Sequence, residues 1–305
     1  MSTASPLNTV DAASPANARP ASEGGGARRP RRFAPLPTAA LLLGALYCLL
    51  PVAWVAIAAT KAGDELFSTF TFAPGSGLWE NVSDLHGYRD GIYWRWMVNS
   101  ALYAGLGALL SCAVSALGGY ALALYRFPGR ETIFNVLLAG VLMPPVILAV
   151  PQYLLLAEVD LTDSRLAVLL PVLLSPYGIY LARIYAAAAV PADVVEAARM
   201  DGSGEWRIFR SIALPMMLPG LVTVFLFQFV AIWNNFLLPY IMLSDDEKFP
   251  LTLGLFTLLN QGSTTPALYT LVITGALLAV LPLIALFLLV QRFWSLDLLS
   301  GAVKS

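Results

Sequence analysis

Few side chains in this sequence could take part in catalysis or metal binding. Those that could either lie outside the apolar segments or are better explained as packing residues within them. The single histidine, His86, lies in a polar segment, so neither a histidine metal site nor a Ser-His-Asp triad can be assembled in the apolar runs. Cys48 and Cys112 fall inside apolar runs, where packing is a better interpretation than a disulfide or metal pair. The sequence has no Gly-Lys dipeptide and therefore no G-x-x-x-x-G-K-[ST] phosphate-binding loop. We predict no catalytic residue, no metal site and no cofactor-binding residue in the chain itself.

The most concentrated charge between apolar runs is a segment from Pro191 to Pro215, which reads PADVVEAARMDGSGEWRIFRSIALP and carries seven charged residues. Pro191 suits the first position of a short helix, where its missing N–H costs nothing. Gly202 suits the end of that helix, because glycine tolerates a positive φ. Glu196 and Arg199 are spaced for mutual support on the helix. The pattern predicts helix, glycine turn and second helical piece along a membrane surface. In the second piece, three residues are predicted to share one face: Trp206, Phe209 and Ala213.

A second polar group interrupts a later apolar run and combines an aromatic ring with side-chain amides. Its members are Gln228, Trp233, Asn234 and Asn235. An aromatic face suits C–H groups of a ligand, and amides suit its hydroxyls, so these residues are candidates for a substrate pathway. The same side chains could equally bond to neighbouring helices or to another subunit, and the sequence leaves both interpretations open.

The composition indicates an integral membrane protein. Of the 305 residues, 58% are hydrophobic and 12% are charged, whereas soluble domains carry roughly 25% charged residues. The net charge of −1 gives no indication of a nucleic-acid partner. We therefore predict an all-α integral membrane protein in contact with lipid, long enough for about six spans of ~20 residues.

Six spans are predicted in one transmembrane domain, residues 33–305, after a disordered basic tail of residues 1–32. The first span is too long for the h-region of a signal peptide, about 7–15 residues, which favours an uncleaved helix. Small residues recur at every fourth position of the second span, a pattern that favours close helix packing: Gly107, Ser111, Ser115 and Gly119. The spans are expected at about 34–60, 96–124, 132–156, 166–189, 214–243 and 267–290, with a charged loop at 191–213 between the fourth and fifth.

The placement of Lys and Arg predicts the orientation. With the amino terminus inside, thirteen of the eighteen Lys and Arg residues fall in cytoplasmic segments, as the positive-inside rule requires. Both termini and the charged segment are therefore predicted to be cytoplasmic. No ionisable residue lies clearly in the middle of a span. Inserting a charge at the centre of a membrane helix costs about 2.5–3.5 kcal/mol. Such charges therefore occur mainly in proteins that move ions or protons.

The charged segment resembles the EAA loop of ABC-importer permeases, in which EAA is followed by a glycine and then by hydrophobic-x-Leu-Pro. The matching positions are Glu196, Ala197, Ala198, Asp201, Gly202, Ile212, Leu214 and Pro215. Four further segments resemble the maltose-type carbohydrate-uptake permeases: NSALYAG (99–105), YALALYRFPGR (120–130), WNNFLLPYIML (233–243) and GAVK (301–304). The resemblance covers about residues 33–305 and is closest to the permease partner that has six helices. Ser203 and Ser305 depart from the pattern, where alanine and glycine are frequent.

This resemblance implies a permease subunit of an ABC importer in the bacterial or archaeal cytoplasmic (inner) membrane, which moves a sugar or polyol by alternating access. It implies that Glu196, Ala197, Ala198, Asp201 and Gly202 couple the chain to an ATPase, the small alanines letting the helix seat in a cleft of that partner. The implied partners are a second permease subunit, two copies of a cytoplasmic ABC ATPase that hold ATP and Mg, and an extracytoplasmic solute-binding protein.

Two other classes of function are less compatible with the sequence. An ion-coupled secondary transporter or channel acting alone would need an intramembrane charge or an inverted repeat of broken helices, and neither is evident in the sequence. A membrane enzyme would need a nucleophile, a base or a metal set, which these spans do not supply.

Overall fold

The computed structural model describes residues 35–63, 65–262 and 267–302, and all regular structure in these ranges is helical. The predicted all-α class is therefore confirmed. The chain divides into two units, Met1–Tyr47 and Cys48–Ser305. In the first unit, the described residues 35–47 are helical. The predicted tail of residues 1–32, its basic cluster and residues 303–305 lie outside the described residues.

Most helices are short pieces separated by brief breaks. In chain order they are α1 Pro35–Ala58, α2 Glu65–Ser68, α3 Leu78–Gly87, α4 Ile92–Leu124, α5 Arg130–Leu142, α6 Pro145–Ala157, α7 Arg165–Leu173, α8 Pro176–Ala189, α9 Ala192–Met200, α10 Glu205–Ile208, α11 Leu214–Trp233, α12 Leu237–Met242, α13 Leu251–Gly262 and α14 Ala267–Ala302. Three further helical turns complete the order: Tyr88–Gly91, Phe209–Ala213 and Asp246–Lys248.

Five stretches of the described chain are long and apolar enough to cross a membrane. They are Pro35–Ala58, Leu78–Leu124, Arg165–Ala189, Glu205–Trp233 and Leu268–Gln291. The pair α5 and α6 passes the same test only when both helices are taken together. By length and composition the described residues thus provide five spans, or six if this bent pair counts as one.

The bent pair turns by 106° at the break between Leu142 and Pro145. Met143 is extended, with ψ at 124°, as expected for a residue that precedes a proline. Pro144 is also extended, and Pro145 occupies the first position of α6, where no backbone N–H is needed. The two prolines therefore end one helix and start the next in a new direction.

The predicted fifth span, 214–243, is divided in the structure. Helix α11 ends at Trp233, and the amide of Asn234 donates to the carbonyl of Val230 at 2.8 Å. The Oδ1 of Asn235 then accepts from the N–H of Leu238 at 3.4 Å, where α12 begins. Asn235 thus satisfies a backbone N–H at the start of α12 that a continuous helix would have paired, which helps the helix to break here.

Helix α4 packs along α8 and along α11. Its small residues allow this approach: a Cβ on Gly119 would lie 2.6 Å from the backbone carbon of Ala182. Likewise, a Cβ on Gly178 of α8 would lie 2.5 Å from Ser115 Oγ. Ser115 and Gly119 of α4 thus lie at close range to α8, as the spacing of small residues predicts.

The segment after α12 is fixed to the beginning of α4 by side-chain hydrogen bonds to its backbone. Trp96, Asn99 and Tyr103 donate to the carbonyls of Asp246, Glu247 and Lys248 at 2.8, 2.7 and 2.8 Å. Asp163 accepts from Lys248 Nζ at 3.1 Å. Burial raises the pKa of Asp163, but the backbone N–H groups of residues 245 and 244 and then Lys248 lower it by more, so the net shift is downward. These bonds hold one end of the helix bundle together.

The contact between α4 and α8 can be tested with two glycines of α4. A Cβ on Gly119 would clash with backbone, which cannot rotate away, whereas a Cβ on Gly105 would meet nothing within 4 Å. We expect Gly119→Ala to lower the free energy of unfolding by about 1–3 kcal/mol through overpacking. Gly105→Ala should cause no loss, because alanine favours helix over glycine. Thermal unfolding of the purified protein in detergent measures both, and equal stabilities would contradict this packing.

Candidate functional site

The charged segment Pro191–Pro215 folds into two helical pieces joined by a glycine turn. Helix α9 begins after Pro191, which is its N-cap. Gly202 has φ at +78°, the left-handed conformation that glycine adopts without strain. The N–H of Ser203 donates to the carbonyl of Ala198, and the N–H of Gly202 donates to that of Arg199, both at 3.0 Å. This pair of bonds is the Schellman motif, which satisfies the last carbonyls of the helix and reverses the chain.

One face of this segment belongs to the hydrophobic core of its own chain. Val195 and Ala198 of α9 are buried, as are Ile208, Phe209 and Ala213 in the second piece. They pack in one cluster with residues of three long helices, namely Ala116, Tyr120, Ala182, Ala186, Met217 and Leu221. The segment is therefore seated on α4, α8 and α11 rather than extended into solvent.

The other face is exposed. Glu196, Ala197, Asp201 and Gly202 all lie on it. Exposed apolar side chains accompany them, with Met200 at 84% and Trp206 at 65% exposure. Of the five residues predicted for coupling, only Ala198 points inward, because it lies one turn from Val195 on the buried face. Trp206, predicted to share a face with Phe209 and Ala213, is exposed and contacts Phe209 from outside, with ring centroids 5.6 Å apart.

Arg199 pairs with Glu205 and not with Glu196. Its Nε and Nη2 donate to the two carboxylate oxygens of Glu205 at 2.7 and 3.2 Å. The hydroxyl of Tyr125, the residue that caps α4, donates to Oε2 of Glu205 at 2.5 Å. The hydrogen bond to Glu205 raises the pKa of Arg199, and burial together with the bond to Glu205 raises the pKa of Tyr125. At neutral pH Arg199 is therefore a cation and Tyr125 a hydrogen-bond donor.

A widened helical turn, Phe209–Ala213, joins the charged segment to α11. The N–H of Leu214 bonds to the carbonyl of Phe209, five residues back, which defines a π turn. Pro215 has no N–H to donate to the carbonyl four residues before it, so a regular ladder cannot continue through this point. The Leu-Pro of the motif thus coincides with a change of helical register.

The structure separates the four pathway candidates. Asn235 lines a cavity of about 170 Å³ beside the breaks that follow α5 and α11. Gln152 of α6 supplies a second amide to its wall. The remaining lining is apolar: Pro145, Leu148, Ala149, Pro171, Val172, Leu237 and Leu238. The cavity thus combines two amides with an apolar surface at the place where α6, α7 and the beginning of α12 meet.

The other three candidates lie outside this lining. Gln228 is 7% exposed and its Nε2 has no hydrogen-bond partner. This nitrogen faces Gly178 of α8, where an added Cβ would lie 2.5 Å away. Trp233 is buried in the core and stacks on Phe229, with ring centroids 5.7 Å apart. Asn234 is exposed and bonds to its own helix.

Sequence reasoning missed Tyr125, Glu205 and Gln152 as members of these arrangements. Tyr125 lies within YALALYRFPGR, but nothing in that segment indicates a partner 80 residues away. Glu205 directly follows the glycine turn, and that position is the one local signal that it could meet Arg199. Among the described residues, no cluster of three or more His, Cys, Asp or Glu side chains could hold a metal ion.

Known proteins are similar to this chain in sequence. The chain is 31% identical over 281 residues to the arabinooligosaccharides transport system permease protein AraQ of Halalkalibacterium halodurans, a match that covers 90% of this chain and 99% of that protein. It is 32% identical over 226 residues to the diacetylchitobiose uptake system permease protein NgcG of Streptomyces coelicolor, with 74% of each chain covered.

A solved structure has a similar fold. It is a bacterial ABC transporter involved in the import of the acidic polysaccharide alginate, with a TM-score of 0.72 over 84% of this chain and 94% of that chain. At 22% identity this likeness concerns the fold alone. The family model described as binding-protein-dependent transport system inner membrane component matches residues 114–295, more than half of the chain. With relatives above 30% identity along most of its length, the chain belongs to this family of inner-membrane transport components.

Proposed function

We propose that this chain is the permease subunit of an ATP-binding-cassette importer that carries a sugar or polyol across a bacterial or archaeal cytoplasmic membrane. The observation that carries the proposal is the two-sided charged segment, whose buried face is seated on three long helices while its exposed face presents Glu196, Ala197, Asp201 and Gly202. Relatives whose names refer to arabinooligosaccharides and diacetylchitobiose support a carbohydrate as the solute.

The energy for transport comes from a separate protein in this proposal. The sequence has no phosphate-binding loop, so ATP and Mg are held by two copies of a cytoplasmic ABC ATPase. A second permease subunit completes the pathway, and an extracytoplasmic solute-binding protein delivers the solute. Closure of the ATPase dimer displaces the exposed face of α9, and the attached helices re-pack between inward-facing and outward-facing states.

The solute pathway is proposed to include the cavity at the broken helices. Irregular backbone inside a membrane is tolerated where it is buried in protein or lines a cavity, and such breaks mark binding sites in transporters. The amides of Asn235 and Gln152 can each donate and accept hydrogen bonds, as sugar hydroxyls require. The apolar remainder of the lining suits the C–H face of the ring.

The docking role predicts that two glycines of one turn differ in their tolerance of alanine. Gly202→Ala places a side chain at a positive φ and strains the turn by about 1 kcal/mol. Gly204→Ala is the matched control, since Gly204 has φ at −70° and open space around it. We expect Gly202→Ala, but not Gly204→Ala, to weaken co-purification of the ATPase with the permease pair. Equal co-purification of both variants would contradict a role for the turn in docking.

Charge reversal tests the exposed face of α9. Glu196 is exposed, and among the described residues no ion pair involves it, so Glu196→Lys changes the surface without removing an internal contact. We expect this variant to lose most ATP-driven transport while the permease pair remains folded. Glu80→Lys, an exposed acid in the first turn of α3, is the control. Full transport by the Glu196 variant would exclude its coupling role.

The two glutamines should respond differently to replacement by leucine. Gln152→Leu removes an amide from the cavity wall and should raise the solute concentration for half-maximal transport about 5- to 30-fold, the loss of one to two hydrogen bonds. Gln228→Leu replaces a buried amide that has an unpaired nitrogen, so it should leave this concentration unchanged and cost little stability. Transport assays and thermal unfolding distinguish the two. A larger change of the half-maximal concentration in Gln228→Leu than in Gln152→Leu would contradict this assignment and indicate a pathway at the interface of α4, α8 and α11.

The solute itself is identified by stimulation of ATP hydrolysis. The complex is reconstituted in vesicles with the binding protein and partner subunits encoded beside this chain, and a panel of pentose, hexose and amino-sugar oligosaccharides and polyols is screened. We expect at least one carbohydrate to stimulate hydrolysis and accumulate in the vesicles. Stimulation by an amino acid or peptide in a parallel panel, with none by carbohydrates, would overturn the proposed solute class.

A further inference from the structure

Three side chains form a bridge across the glycine turn of the charged segment. Arg199 lies in the last turn of α9, and Glu205 is the first residue of α10, on the other side of Gly202. The bidentate pairing of Arg199 with Glu205 therefore closes the turn from outside. Each charge is also well placed for its own helix, because cations are favoured at a helix C-terminus and anions at an N-terminus.

Tyr125 connects this pair to a long helix. Its hydroxyl donates to Glu205 at 2.5 Å, and the guanidinium of Arg199 lies over its ring, 5.5 Å from the centroid. The ring also packs edge-on against Tyr120 of α4 at 5.6 Å, and Tyr120 contacts Phe209 at 5.1 Å. Hydrogen bonds, ring contacts and buried apolar packing thus attach the turn to the end of α4.

Without the bridge, the turn would be held by the two backbone hydrogen bonds of the Schellman motif and by the buried faces of the helices beside it. Gly202 and Gly204 have open space around them, so no side chain hinders rotation of the backbone there. A simple surface ion pair would do little to prevent this, since such pairs contribute about 0–1 kcal/mol. Here Arg199 makes two hydrogen bonds to the carboxylate of Glu205, and Tyr125 donates a third. These bonds fix the orientation of the groups in addition to the attraction between their charges.

We propose that Tyr125, Arg199 and Glu205 act as positioning residues that make α9, α10 and the end of α4 move as one body. A displacement that enters through the exposed face of α9 then reaches α4, against which α8 and α11 pack, instead of being absorbed at the glycine turn. This inference rests on the proposed function, because it assumes that a partner ATPase displaces α9.

The test measures distances between spin labels in the complete complex, nucleotide-free and trapped with ATP and vanadate. One pair of labels replaces Asp193 at the start of α9 and Arg126 beyond the end of α4, both exposed, with Cys48 and Cys112 replaced by alanine. In the otherwise unchanged chain, we expect this distance to stay constant between the two states. In Glu205→Gln and in Tyr125→Phe it should shift by about 2 Å or more on trapping, the scale of helix movements at moving interfaces. Because both substitutions break one bridge, the double variant should shift no further than the larger single effect.

Controls separate this inference from the proposed function. Tyr47→Phe and Glu158→Gln remove the same groups from exposed positions elsewhere and should leave the distance constant. A second pair of labels, at Asp193 and Glu158, reports whether trapping moves α9 at all. If the ATPase does not co-purify, or if this second distance never changes, the proposed function fails. If it changes while the bridge variants keep the first distance constant, or if their shifts add, the bridge has no positioning role.

Discussion

The structure depends on one constraint: lipid offers no hydrogen-bonding partner to a peptide group, so backbone within the membrane must satisfy itself. Continuous helices meet this requirement, and each break in an apolar stretch needs a local substitute. Ser175 Oγ accepts from Gly178 N–H where α8 begins, and Asn235 does the same for α12. Pro144 and Pro145 have no N–H to satisfy. Helices beside these breaks line one cavity, to which Pro145 and Asn235 both contribute.

The charged segment resolves two opposing demands on one short stretch. It is fixed to its own chain by one face, and the proposed docking role requires that the other face be left for another protein. Helical periodicity meets both, because Val195 and Ala198 fall on the inner face while Glu196 and Ala197 fall on the outer one. The two adjacent alanines of the motif therefore have different surroundings. Ala198 is buried and allows close approach to the core, whereas Ala197 is exposed and adds only a small side chain to the outer face.

Sequence patterns predicted features that depend on composition or on one residue. The all-α class follows from hydropathy, and the positive φ of Gly202 follows from the lack of a Cβ. The end of α11 at Trp233 was not predicted, because hydropathy averages over a window and does not register the one side chain, Asn235, that caps the start of α12. The pairing of Arg199 was predicted with Glu196 on the same helix, but the Schellman turn brings Glu205 back against it. Contacts such as that of Tyr125 arise from tertiary packing, for which one sequence carries no local signal.

The close seating of α4 on α8 and α11 has a consequence for biosynthesis. Ser111 and Ser115 are completely buried and without hydrogen-bond partners, but α8 and α11 lie later in the chain and cover them only after translation has advanced. At roughly 5–20 residues per second, the ribosome needs about 3–10 seconds to pass from Leu124 to Pro176. During this interval α4 presents its small, polar stripe to lipid or to the insertion machinery, so premature pairing of this span has to be avoided until α8 follows.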